Sequence, residues 1–213
     1  MKSPSFSFLA AGLLLALPAC TTDGTEAEGV VAEAAGWREL ATPNDRERVR
    51  EWRKAWVAAV ARAETAGHGA EIREWGPLLE PDAALGQVAP PPGDYRCRTI
   101  KIGAKSQGML DYVAYPPFIC RIAPGGTEAP LSFTKLTGSQ RPVGRLFPEN
   151  GRRMIFLGTL QLSDEKGVMR YGHDRERDMA GVLERVGEQR WRLAFPSPHF
   201  ESLLDVIELV PAS

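Results

Sequence analysis

The densest group of side chains able to do acid–base chemistry is Tyr171-Gly172-His173-Asp174-Arg175-Glu176-Arg177-Asp178. Asp174 and Asp178 form a carboxylate pair, with the His173 imidazole ahead of them as a proton shuttle. Together they supply groups of different pKa, which general acid–base catalysis needs within hydrogen-bond reach. The same residues also read as a solvated loop between strands whose alternating charges pair with one another, each pair contributing about 0–1 kcal/mol. A second set is basic: Arg96, Arg98, Arg121, Arg190 and Arg192 fall in strand-like runs. Convergence on one barrel face would make an anion patch, because guanidinium matches carboxylate and phosphate bidentately; the alternative is the outward polar face of a one-sided sheet. The chain has no nucleophile elbow, zinc-protease helix, phosphate-binding glycine loop, dinucleotide fingerprint or calcium loop. His68, His173 and His199 sit among turn residues without a histidine partner at ligand spacing, so neither a metal nor another cofactor is expected. With 26 Lys and Arg against 27 Asp and Glu, the charge balance gives no electrostatic basis for nucleic-acid binding.

The N-terminus sets the compartment. After Met1-Lys2, an apolar run extends from Phe6 to Leu17. As a helix it would cover about 18 Å of a hydrocarbon core roughly 30 Å thick, so it reads as the apolar segment of a signal peptide. Leu17-Pro18-Ala19-Cys20 resembles the lipobox of bacterial lipoproteins, which implies cleavage before Cys20 and lipidation of its thiol. The alternative is an ordinary secretory leader with Cys20 incidental. Thr21 to Gly36 offers little but Val30-Val31 to bury and reads as a flexible tether reaching about 20–24 Å. Thr rather than Asp after Cys20 favours, by the same resemblance, the outer membrane of a Gram-negative envelope, facing the periplasm. With the leader removed, Cys97 and Cys120 are the thiols left to pair, and an oxidising compartment makes a disulfide between them the expectation.

The elements that must position these residues change character midway. Thr42-Pro43-Asn44-Asp45 marks a helix start. Val49, Trp52, Trp56, Ala59, Val60 and Ala63 then make one apolar stripe of a helix of about 23 residues ending at Gly67-His68-Gly69. A shorter helix follows around Glu71 to Leu79. The tryptophans read as an anchoring face against the rest of the protein. Pro90-Pro91-Pro92-Gly93 punctuates the chain. Beyond it the apolar pattern has period two: Tyr95, Cys97, Thr99 and Lys101; Phe118, Cys120 and Ile122; Phe156, Gly158, Leu160 and Leu162; Trp191, Leu193 and Phe195. Turn clusters separate about eight strands. The fold class is therefore α+β, an N-terminal helical arm followed by a mainly antiparallel β-barrel, calycin-like, or a sandwich. The organisation is leader 1–19, tether 20–36, arm 37–89 and β domain 90–213. Residues 20–93 carry 8 basic and 13 acidic side chains and 94–213 carry 17 and 14, which suggests charge complementarity between arm and barrel. The long loop from Gly103 to Pro117, with Met109, Leu110, Tyr112 and Tyr115, suits partner contact or a plug over one barrel mouth.

Trp37-Arg38-Glu39-Leu40 through Asp45, Gly93-Asp94-Tyr95-Arg96-Cys97-Arg98, Gly172 to Gly181, and Arg190-Trp191-Arg192-Leu193 through Leu209-Val210-Pro211 together resemble an uncharacterised bacterial family of lipoprotein type, labelled only as a domain of unknown function. That resemblance implies no activity and no catalytic residue. More loosely, the lipobox, the stapled barrel, the Gly-x-Tyr opening and the Trp-x-Leu strand are similar to calycin-like envelope lipoproteins, some of which inhibit proteases or lysozymes. The expectation is a non-enzymatic module, anchored in the membrane by its N-terminal lipid, that binds an envelope protein, peptide or cell-wall partner. The alternatives are a periplasmic hydrolase using Asp174 and Asp178, and a small-ligand carrier or hydrolase inhibitor. A carrier requires a lumen not filled by Phe156, Leu160, Trp191 and Leu193.

Overall fold

The computed structural model describes Met1, residues 36–163 and residues 165–212. The leader, Cys20 and the tether up to residue 35 lie outside the described residues. Ala34–Ser213 forms a compact unit with its own cores and a closed sheet, the attributes of a domain able to fold alone.

Nine antiparallel strands follow one another: β1 Gly93–Ala104, β2 Tyr112–Ala114, β3 Phe118–Pro124, β4 Leu131–Lys135, β5 Gln140–Asn150, β6 Arg153–Leu162, β7 Asp178–Gly187, β8 Arg190–Pro196 and β9 Ser202–Pro211. Neighbours pair in sequence from β3 to β9, and β1 pairs with both β3 and β9, which closes an eight-stranded up-and-down barrel. The short β2 lies against the far end of β1. Closure rather than a sandwich leaves the barrel strands without a free edge. The expected β domain is thus a barrel with one added strand.

An eight-stranded barrel is just wide enough for side chains to fill, and one end of this one is filled. Tyr95 and Trp191 meet edge to face with ring centres 6.1 Å apart. The Trp191 indole donates to the Val88 carbonyl at 2.8 Å and the Tyr95 hydroxyl to the Pro91 carbonyl at 2.7 Å, so the proline-rich segment caps this end. Above them, Cys97 and Cys120 form a disulfide on the inward faces of β1 and β3. Phe133, Phe156 and Phe195 stack edge to face in sequence. Gly144 and Gly158 oppose each other across β5 and β6. A Cβ on either would lie within 2.7 Å of the Phe156 ring tip, so the absence of side chains there is what admits the ring.

The helical segment packs on the outside of the barrel. It comprises α1 Trp37–Leu40, α2 Pro43–Arg50, α3 Trp52–Thr65, α4 Gly69–Glu74 and a 3-10 turn at Gly76–Leu78. Thr42 caps α2 by accepting the Asp45 backbone N–H at 3.2 Å, with Pro43 at the first helical position. The single helix of about 23 residues expected from the periodicity is broken at Glu51, whose φ of −90° and ψ of 11° turn the chain. A straight rod of about 35 Å would leave a curved barrel surface. The bend keeps α2 on β7 and α3 across β1, β8 and β9. The apolar stripe still holds: Trp52, Trp56, Ala59 and Ala63 are buried against Ile100, Ile102, Leu204 and Val206. Strands under the helices are consequently buried on both faces, as β6 and β8 show, whereas β3 alternates. The charge complementarity expected from composition takes another form. The ion pairs that cross from arm to barrel run from arm arginines to barrel carboxylates, Arg38 to Glu149 and Arg62 to Asp111, both at 2.6 Å.

Candidate functional site

The other end of the barrel is hollow. A cavity of about 280 Å³ opens there, with Tyr115, Ser139, Glu176 and residues 198–201 contributed by the connecting segments, near the lower end of the size range of small-ligand pockets. Phe118, Pro142, Leu160, Met179, Phe195 and Ile207 form apolar wall, and Lys101, Lys135, Gln140, Glu201 and Asp205 bring charge and polarity into it. The long loop reaches this rim through Tyr115, while Met109 and Leu110 stay exposed. The loop does not plug the mouth.

The strands place these groups by parity. Thr99 and Lys101 continue the inward face of β1, Lys135 follows Phe133 on β4, and Asp205 precedes Ile207 on β9. Lys101 sits in a closed network: its Nζ lies 2.6 Å from Glu201 Oε2 and 3.6 Å from Asp205 Oδ2 and donates to Gln140 Oε1 at 3.0 Å. Burial works against its charge, but Asp205 and Glu201 outweigh it and its pKa is raised. Burial pushes the Asp205 carboxyl up although Lys101 and the Ser202 hydroxyl hold it. Glu201 is lowered, chiefly by its hydrogen bond from Lys101.

Lys135 differs. Its side chain is 4% exposed. Nζ donates to the Gln140 backbone carbonyl at 2.9 Å and rests 3.7 Å from the Phe118 ring centre. Among the described residues, no carboxylate comes within ion-pair distance of it. Burial, with Lys101 and Arg141 nearby, brings its pKa down to about 8. Gly138, at φ +94°, makes room for it: a Cβ there would stand 2.8 Å from Nζ and 2.9 Å from the Phe118 ring.

Arg48, Asp178 and His199 form a second stretch of wall. Arg48 Nη2 pairs with Asp45 Oδ1 at 2.7 Å and meets His199 Nε2 at 2.9 Å. Guanidinium has only donors, so Nε2 accepts and the imidazole proton sits on Nδ1. Burial and the nearby Arg48 and Lys105 charges lower the His199 pKa in keeping with that. Tyr171 donates to Asp45 Oδ2 at 2.6 Å, which ties this wall to the start of α2. Asp178 Oδ1 accepts from the Gly172 N–H at 2.8 Å, Oδ2 has no partner among the described residues, and burial raises its pKa.

Of the acidic loop, Glu176 and Asp178 line the cavity, and of the expected catalytic group only Asp178 does. Asp174 shapes the turn, its Oδ1 accepting from the Glu176 N–H at 3.0 Å and its carbonyl from the N–H groups of Arg177 and Asp178. His173 is exposed and not part of the lining, and the imidazole at the wall is His199. The five arginines share the outward face but do not converge on a ligand site. Arg121 pairs with Asp94 at 2.6 Å and Arg190 with Glu208 at 2.7 Å, Arg98 lies over the Trp75 ring at 5.1 Å, and Arg96 is exposed. Arg192 is fully buried under the arm, where it donates to Glu184 and to the carbonyls of Pro77, Leu78, Glu80 and Pro81. Lys101, Lys135, Asp205 and Arg48 were not singled out by motif. The signal that finds three of them is a charged residue in phase with the core face of its strand. Among the described residues, no three His, Cys, Asp or Glu side chains gather closely enough to hold a metal ion.

No curated protein and no solved structure matches the chain. A family model described as a domain of unknown function, DUF4893, matches residues 37–209, a span that takes in the helical segment and the barrel through most of its last strand. The chain therefore belongs to the DUF4893 family, here a closed β-barrel with helices packed on one flank.

Proposed function

We propose that this protein is a non-enzymatic binding module of the cell envelope, held at a membrane by a lipid on Cys20, whose hollow barrel end receives a small ligand. The observation that carries the reading is the asymmetry of the lumen: Phe156, Trp191 and Leu193 are packed solid, whereas Leu160 lines open space. Mostly apolar walls with a few convergent polar groups are what a small-ligand site requires. The disulfide fits an oxidising compartment. The test uses N-phenyl-1-naphthylamine, an uncharged probe that fluoresces in apolar surroundings, on the Ala34–Ser213 unit. Saturable enhancement is expected, and Leu160→Trp, which fills the chamber, should abolish it while the protein remains folded. Wild-type protein without saturable enhancement, or an unchanged response in the variant, would overturn the reading. For the anchor, Cys20→Ser should move the protein from the membrane to the soluble fraction.

A hydrolase reading retains one observation, the unpartnered Asp178 Oδ2 in the same wall as His199. Turnover of a peptide or cell-wall substrate that is lost in Asp178→Asn would favour it over simple binding.

A further inference from the structure

Resting on the reading of the barrel mouth as a binding site, we infer that its ligand is a small amphiphile with a single negative charge, a monocarboxylate being the simplest, and that the charge docks on Lys135. The charged groups lining the chamber are Lys101, Lys135 and Arg48 and the carboxylates Glu176, Asp178, Glu201 and Asp205. Lys101 is matched by Glu201 and Asp205, and Arg48 by Asp45. Asp205 is close enough to influence Lys135, but one of its oxygens faces Lys101 and the other accepts the Ser202 hydroxyl. Lys135 is left with one carbonyl and the face of Phe118. An ammonium has three donors, and a buried charge is costly unless it is paired and hydrogen-bonded. An incoming anion would supply what the fold withholds.

The surroundings narrow the class. Lys135 is the lining cation without an ion-pair partner among the described residues, which suits a single anionic group, and the carboxylates of Glu176, Asp178, Glu201 and Asp205 oppose a multiply charged ion such as phosphate. Lys135 rests on Phe118, and Pro142, Leu160 and Phe195 add apolar wall to the same chamber, so the ligand's body is apolar. About 280 Å³ suits a short acyl chain or an aromatic acid rather than a whole phospholipid. Gly138 belongs to the same device, since a side chain at that position would displace the ammonium.

Isothermal titration of the Ala34–Ser213 unit with octanoate, 1-octanol and inorganic phosphate at pH 7 tests this. Octanoate should bind at least about tenfold more tightly than octanol, and phosphate should neither bind nor compete. Lys135→Met should erase the preference without lowering the melting temperature, and Lys135→Arg should keep it. Equal binding of octanoate and octanol to wild type, a preference that survives Lys135→Met, or competition by phosphate each overturns the anion site while leaving the chamber a binding site. If the uncharged naphthylamine probe binds and octanoate does not, the inference fails alone. If neither binds, the reading of the chamber fails with it.

Discussion

Arg192 and Lys135 are both buried cations on barrel strands, and their surroundings treat them in opposite ways. Arg192 points outward from β8 under the helical segment, where Glu184 neutralises it and four backbone carbonyls of residues 77–81 take its remaining donors. Those carbonyls belong to the 3-10 turn and the residues just after it, which have no strand ladder to take them, so the guanidinium fastens the arm to the barrel. Lys135 points inward at the hollow end and meets one carbonyl and one aromatic face. A buried charge whose every donor is used is part of the structure; one left short of partners at the edge of a cavity is available to something else.

The largest expected effect breaks the satisfied site. Arg192→Met leaves four carbonyls without their donor and Glu184 with only Arg153, and should cost about 3–5 kcal/mol in a urea titration. Lys135→Met, which removes an underpaired charge, should cost nothing or stabilise. Equal losses in the two variants would dissolve the distinction. Replacing Cys97 and Cys120 by Ala should lower stability by about 3 kcal/mol through the freed chain. Because the bond lies beneath the hollow end, probe binding there should weaken as well. The pH dependence sharpens the contrast. Lys135 is lowered in the folded protein from its ordinary value near 10.5 to about 8, so between those pH values the unfolded chain binds more protons and stability rises with pH. Wild type should gain on Lys135→Met on the order of 3 kcal/mol between pH 8 and 10.5, read from denaturation midpoints. Thr42→Ala, which removes the cap that holds Asp45 and through it Arg48 in the chamber wall, should cost about 1 kcal/mol. Arg121→Ala, at an exposed pair, should leave the melting temperature unchanged.

Much of the barrel was legible because alternation survives wherever one strand face is wet. Phe118, Cys120 and Ile122 read as one inward face and are one, and the same parity carried Trp191, Leu193 and Phe195 to the lumen. The helix break at Glu51 was not legible, because the apolar spacing from Val49 to Trp52 and Trp56 runs on without interruption and only the curvature of the barrel demands a bend. The acidic loop misled for a related reason. Density of charge along the chain says nothing about direction, and Asp174 and His173 turn away while Asp178 turns in. Lys101 stood in the period-two run with Tyr95, Cys97 and Thr99, in phase with the core, yet its partners Glu201 and Asp205 lie a hundred residues onward and meet it only when β1 and β9 close the barrel.

The ring of Phe156 has a consequence for what the chamber holds. It occupies the level just beneath the open space, against Phe195 and over two glycines that contribute no bulk of their own. On the proposed binding reading it would act as a stop, fixing how far a guest could descend. A smaller side chain at that one position would lengthen the chamber toward the disulfide and leave Lys135 and Phe118 where they are. On the same reading, the length and the charge of a guest would be set by different residues, so that either could change without the other.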